Sequence, residues 1–306
     1  MLKFFKHSYI AQLVVIVLLI AVLWIPALGG HVSAMTIFTF VVFGVSVFFF
    51  NSMLSVNQLV TRNSSIGALV FVLCLTLVPI NAELFGFYLA CPIIMMVLQT
   101  IYLLYQIEKP EPYLMNAGFF LALASMFYHP AIILVIWVLL AMLIMDIRSV
   151  KLFLIPIMGF VFPYFILFVY FYFNKTLIEN IRDYALAINE LRFMRLEIGT
   201  AEIVVFILVF ISLILSLMMI KSGNADNSMS MRKKVNVTIW LFVFSLMMLF
   251  LHKPVMSNGL IFMTLAVFVS MALCYVKKSK IIDIVLVLMM LAIIANQYLP
   301  LFGIKI

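Results

Sequence analysis

Residues 115–173 read MNAGFFLALASMFYHPAIILVIWVLLAMLIMDIRSVKLFLIPIMGFVFPYFILFVYFYF, and the only Asp, Glu, Lys or Arg among them are Asp146, Arg148 and Lys151. Three apolar runs, 114–129, 131–146 and 152–173, are parted by His129-Pro130 and by the charged turn at Arg148. Roughly 20 apolar residues carry an α-helix across the hydrocarbon core. Backbone inside a bilayer must satisfy its own hydrogen bonds, so continuous apolar runs of this kind are helices. A β-barrel would alternate in period two, and these runs do not. Proline lacks an amide hydrogen, so His129-Pro130 predicts a break and a tight helical hairpin.

The same pattern fills the chain. Of 306 residues, 67% are hydrophobic and 10% charged, with a mean hydropathy of +1.30. Eleven spans are expected, at 10–28, 34–60, 66–82, 86–106, 114–129, 131–146, 152–173, 203–220, 237–251, 259–276 and 281–298. The fold class this predicts is all-α, a polytopic membrane bundle forming one integral domain over 1–306. The 34–60 run is longer than the bilayer is thick and ends in the polar stretch Asn51–Thr61, which predicts a tilted helix running into the cytoplasm. Met1–Pro26 has a basic start and no small-residue cleavage site, so it reads as a retained first helix. Cys74, Cys91 and Cys274 sit inside apolar runs and read as buried free thiols with no disulfide framework.

Charge sets the orientation. With the N-terminus cytoplasmic, thirteen Lys and Arg fall inside and six outside, and the C-terminus is periplasmic. The net charge of +8 therefore records topology, and nucleic acid is excluded as a partner because the cations occupy short loops between apolar runs. Two loops have size. The inner loop 221–236, KSGNADNSMSMRKKVN, is polar, and its Arg232-Lys233-Lys234 cluster is placed to meet anionic membrane lipid. The outer loop 174–202, NKTLIENIRDYALAINELRFMRLEIGTAE, repeats Ile181, Tyr184, Ile188 and Leu191 at helical spacing. It predicts an amphipathic helix at the membrane surface, either a lid over helix ends or a wall of a substrate groove.

Residues 115–173 also resemble a stretch of the GT-C-type membrane glycosyltransferases. In that superfamily a small-residue helix meets a polar-Pro break, then a Leu-rich helix, a basic turn and a Gly/Pro helix with an aromatic end. Gly118, Ala122, Ala124, His129, Pro130, Arg148, Gly159, Pro163 and Tyr170 stand at the matching places. Arg62 through Pro79 and the helix 86–106 follow the superfamily's order, and the chain is similar along its length to an inner-membrane family of the Bacteroidota. The resemblance implies a GT-C-like scaffold that uses a lipid-linked sugar donor at the outer face. One departure matters. Superfamily members carry an acidic residue in a long first outer loop, whereas here that loop, Ala27–Ala34 (ALGGHVSA), has no carboxylate. That catalytic residue is carried over to no position.

The candidate site gathers at the expected outer ends of spans. His31, His129, His252, Glu83 and Lys253 share that level, and loop 174–202 adds Glu179, Asp183, Glu190, Arg182, Arg192 and Arg195. Polar residues are ordinary at an interface, so each has a bland reading as a solvated helix end. As a site, Glu83 or Asp183 would be the catalytic base. His129, Arg182, Arg192, Arg195, His252 and Lys253 would bind substrate and its phosphate. Arg192 and Arg195 lie three apart on one helical face and suit a phosphate clamp. His31, His129 and Glu83 could bind a divalent metal as cofactor, but no ligand spacing supports it and no metal ligand is assigned. Within the spans, ionisable residues are nearly absent, which disfavours ion or proton pumping. Gln99, Thr100, Asn51 and Asn296 read as helix-packing hydrogen bonders.

Three functions follow. The first is binding of a polyprenyl-phosphate-linked glycan at the outer face of the bacterial inner membrane, with glycosyl transfer as its activity. The second is a non-catalytic membrane subunit that partners other membrane proteins in an envelope complex. The third is a lipid flippase or transporter, for which an internal inverted repeat would be expected and none is visible.

Overall fold

The computed structural model describes residues 2–6, 10–30, 33–61, 64–78, 80, 84–105, 107–175, 200–223, 229–249, 259–275 and 280–298. Every regular element among the described residues is helical. In chain order these are α1 (Leu2–Phe5), α2 (Ile10–Gly30), α3 (Ala34–Val56), α4 (Ile66–Leu75), α5 (Phe85–Leu103) and α6 (Glu111–Phe127). A 3-10 turn (His129–Ile133) leads into α7 (Leu134–Ile144), followed by α8 (Val150–Phe173), α9 (Thr200–Gly223), α10 (Met229–Leu249), α11 (Gly259–Tyr275) and α12 (Lys280–Tyr298). Each of the eleven expected runs holds one of these helices. By length and composition, four stretches among the described residues can cross a membrane: Ile10–Gly29, Ala34–Val56, Phe85–Leu103 and Val150–Phe173.

Three boundaries depart from the sequence reading. α3 stops at Val56 rather than running on to 60, because the chain turns there. Gln58 takes a left-handed φ of 60°, the Leu59 amide donates to the Leu54 carbonyl (2.9 Å), and Asn57 Nδ2 donates to the Met53 carbonyl (2.8 Å). α4 stops at Leu75, well short of 82, for reasons that shape the candidate site below. α10 begins at Met229, eight residues ahead of the expected 237, so Arg232, Lys233 and Lys234 stand on a helix and not in a loop. Met231 is buried there and Lys233 is ion-paired, which anchors turns whose charge had suggested a solvated loop.

The helices form two compact groups. The first comprises residues 1–88, 198–227 and 259–306, and α4 is its centre. All ten residues of α4 are buried, and it packs on α1, α2, α3, α11 and α12. Gly67 admits Asn51, whose Oδ1 accepts from the Ala68 amide at 3.2 Å. Phe71 stacks on Phe50 at 4.5 Å and on Phe43 at 6.3 Å between ring centroids, and Phe43 continues to Trp24 and Tyr88. A Cβ on Gly259 would enter the Phe87 ring, so the start of α11 approaches α5 only as glycine.

The second group comprises residues 89–197 and 228–258. Its tightest contact is α6 on α8. A Cβ on Gly118 would collide with the Pro156 carbonyl, and one on Gly159 with the Met115 carbonyl. Reciprocal glycines of this kind let two backbones touch, which is how membrane helices associate when burial of apolar surface supplies no driving force. Ser125 and Tyr164 share a hydrogen bond at 2.8 Å along the same seam. α7 packs on α10, where Trp137 Nε1 donates to the Val237 carbonyl at 3.1 Å. Tyr102 and Thr238 hydroxyls pair at 2.6 Å.

Candidate functional site

His129 opens the 3-10 turn that joins α6 to α7. Tyr128 leaves the helix in an extended conformation (φ −133°, ψ 90°), and the Ala131 amide returns to its carbonyl at 2.9 Å. Pro130 and Ala131 are buried and His129 is half-buried, so the expected break is a largely buried corner. α7 packs back against α6, as the hairpin reading required. Glu83, Asp183, Arg182, Arg192, Arg195, His252 and Lys253 lie outside the described residues, as do His31 and the expected amphipathic helix within 174–202. Among the described residues no three His, Cys, Asp or Glu side chains cluster as metal ligands. Cys74, Cys91 and Cys274 are free thiols.

What the structure adds is the frame on either side of Glu83. A helix carried past Leu75 would need the amide of residue 79 for the Leu75 carbonyl, and Pro79 has none. Tyr88 donates its hydroxyl to that carbonyl instead, at 3.3 Å. Thr76 closes the helix by returning its own hydroxyl to the Val72 carbonyl at 2.6 Å. Thr76, Leu77, Val78 and Ile80 lie outside any helix, and the end of α12 supplies their partners. Gln297 Nε2 donates to the carbonyls of Thr76 and Val78, both at 2.9 Å, and its Oε1 accepts from the Ile80 amide at 3.1 Å. Asn296 Nδ2 donates to the Leu77 carbonyl at 2.9 Å. Tyr298 ties the same helix end to the Val22 carbonyl of α2 at 3.0 Å. Gln297 is 2% exposed, so all of its amide is spent on this clasp. Irregular backbone is tolerated at membrane depth only where protein supplies its partners.

The clasp fixes the chain up to Ile80, and Leu84 is buried again at the start of α5. Glu83 falls between these anchors in sequence. Sequence reading had Asn296 as a helix-packing hydrogen bonder and did not single out Gln297. Pro79 inside a supposed span, with two adjacent amides near the end of another, was the available signal.

A second polar cluster lies at the other end of the α6–α7–α8 arrangement. Lys233 of α10 forms an ion pair with Asp146, and its Nζ sits 4.9 Å from the Tyr105 ring centroid. Arg148 stands 4.0 Å from the same carboxylate. The hydrogen bond from Lys233, with the positive charges of Lys233 and Arg148, holds the Asp146 carboxyl below its ordinary range. Burial pushes the Lys234 ammonium down. In the first group, a hollow of about 500 Å³ is lined by Ser55, Val56, Gln58, Val60 and Thr61, where the chain leaves α3.

No protein-family model, no curated protein and no solved structure matches the chain.

Proposed function

We propose that this is a GT-C-like protein of the bacterial inner membrane with eleven spans, a cytoplasmic N-terminus and a periplasmic C-terminus. It binds a polyprenyl-phosphate-linked glycan at its outer face. The observation that carries the reading is the clasp. A buried glutamine and its neighbour are committed to holding the irregular segment that leads to Glu83. A general base has to be held within reach of the proton it takes, and the described anchors nearest Glu83 in sequence, Ile80 and Leu84, are fixed by a hydrogen bond and by burial. In the transfer, Glu83 or Asp183 accepts the proton of an acceptor hydroxyl. The acceptor oxygen bonds to the anomeric carbon as the bond to the phosphate oxygen breaks, with inversion. The polyprenyl phosphate leaves as the anion, held by Arg192, Arg195 or Lys253.

Retention of a polyprenyl-phosphate or glycolipid mass by the gently extracted protein supports this reading. Full cellular function after changing Glu83, Asp183, Arg192, Arg195 and Lys253 together to Ala sinks it.

A second reading, a non-catalytic subunit of an envelope complex, draws on what the resembling residues do. Gly118, Ala122, Ala124, Gly159 and Pro163 are all buried packing residues. Packing alone accounts for these five residues, and the acidic outer loop of the resembled superfamily is missing. A protein partner retained on mild extraction, with no such lipid, favours this second reading.

A further inference from the structure

The Asp146 corner has one carboxylate facing two cations, and its cations are not equivalent. Lys233 is committed to Asp146 and to the Tyr105 ring and is only 18% exposed. Arg148 is 81% exposed and reaches Asp146 only at 4.0 Å. Lys151, one turn further on in α8, is exposed as well. Below these two cations, Val150, Leu154, Met158, Val161 and Phe165 are all exposed, between 54% and 79%. Their spacing of four, four, three and four puts them on one face of α8. Lys151 stands at the edge of that face, three residues before Leu154 and seven before Met158.

We propose that this corner is a binding site for an anionic phospholipid. Arg148 and Lys151 hold the headgroup phosphate, and the apolar face of α8 seats the acyl chains. Lys233 is the clip that fixes the corner and is not a ligand. Charge complementarity is joined here to an apolar face of α8, whose first turn carries Lys151 and which Arg148 closely precedes. A phosphate needs the surplus cation that Asp146 leaves uncompensated, and a chain needs the face directly below it. The proposal is independent of any transfer at the outer face. It revises the expectation that the Arg232-Lys233-Lys234 cluster as a whole meets lipid, because Lys233 is ion-paired within the protein.

The test is native mass spectrometry of the full chain in mild detergent, titrated with phosphatidylglycerol or with phosphatidylcholine of the same acyl chains. The wild type is expected to retain phosphatidylglycerol preferentially, and R148Q/K151Q to lose roughly fivefold in retention per cation removed. D146N gives the opposite sign. It removes the competing carboxylate, and asparagine still accepts the left-handed φ of 68° that Asp146 adopts. D146N is therefore expected to retain phosphatidylglycerol about fivefold better. If the cluster were merely structural, D146N and R148Q/K151Q would change lipid retention in the same direction or not at all. Equal uptake of the two lipids overturns the proposal. So does a weaker D146N. Displacement of phosphatidylglycerol by inorganic phosphate, at matched ionic strength, overturns it as a lipid site.

Discussion

α4 and α8 are both almost purely apolar, and they occupy opposite environments. All ten residues of α4 are buried, whereas α8 buries only Pro156, Gly159 and Pro163 of its twenty-four. In water such a difference would follow from hydrophobicity. In a bilayer the surroundings are as apolar as the core, so hydropathy does not sort helices between them. What sorts them is close approach and hydrogen bonding. α4 is held by ring stacking on Phe71, by Asn51 at its start and by the Gln297 clasp beyond its end. α8 is held chiefly along the stripe facing α6, where glycine permits backbone contact, and its other faces are exposed or half-buried.

That contrast can be broken from either side. The largest expected effect is Phe71→Ala, which opens a cavity in the centre of the first group and should cost about 3 kcal/mol. Phe165→Ala, on the exposed face of α8, should cost under about 0.5 kcal/mol by the same thermal or denaturant unfolding measurement. Equal losses would erase the distinction. Gly159→Leu comes next, at about 2–3 kcal/mol, because the Met115 carbonyl must withdraw and α6 must part from α8. Gln297→Leu leaves two carbonyls and one amide without partners and should cost about 2 kcal/mol, read as earlier unfolding in detergent. Trp137→Phe keeps the packing and removes one hydrogen bond to Val237, for about 1 kcal/mol.

The smallest effect is a pH dependence. The folded-state pKa of Asp146 is depressed, so its contribution is fully present above the ordinary value of 3.8. It is lost as pH falls through the depressed value. Asp146→Asn should flatten the acid limb of an unfolding curve and leave neutral pH little changed.

The sequence was informative where physics is local. Continuous apolar runs located every described helix except the short α1, and His129-Pro130 announced the corner that the 3-10 turn makes. It was misleading where partners lie far apart along the chain. The end of α4 depends on Gln297, more than two hundred residues away, and hydropathy carried the run on to 82 across Pro79. Arg232-Lys233-Lys234 looked like a loop because charge usually means solvent, yet Lys233 has a carboxylate and a ring waiting for it. Of the candidate site residues only His129 is among those described, and its place in a buried corner was foreseeable from Pro130.

The clasp is the most direct point of attack. Hydrogen–deuterium exchange at the Ile80 amide, in the wild type and in Gln297→Leu, reads it at a single bond. The account predicts slow exchange in the wild type and exchange at least about tenfold faster in the variant. The same slow exchange in both would contradict it, because the irregular segment beyond α4 would then hold itself without α12.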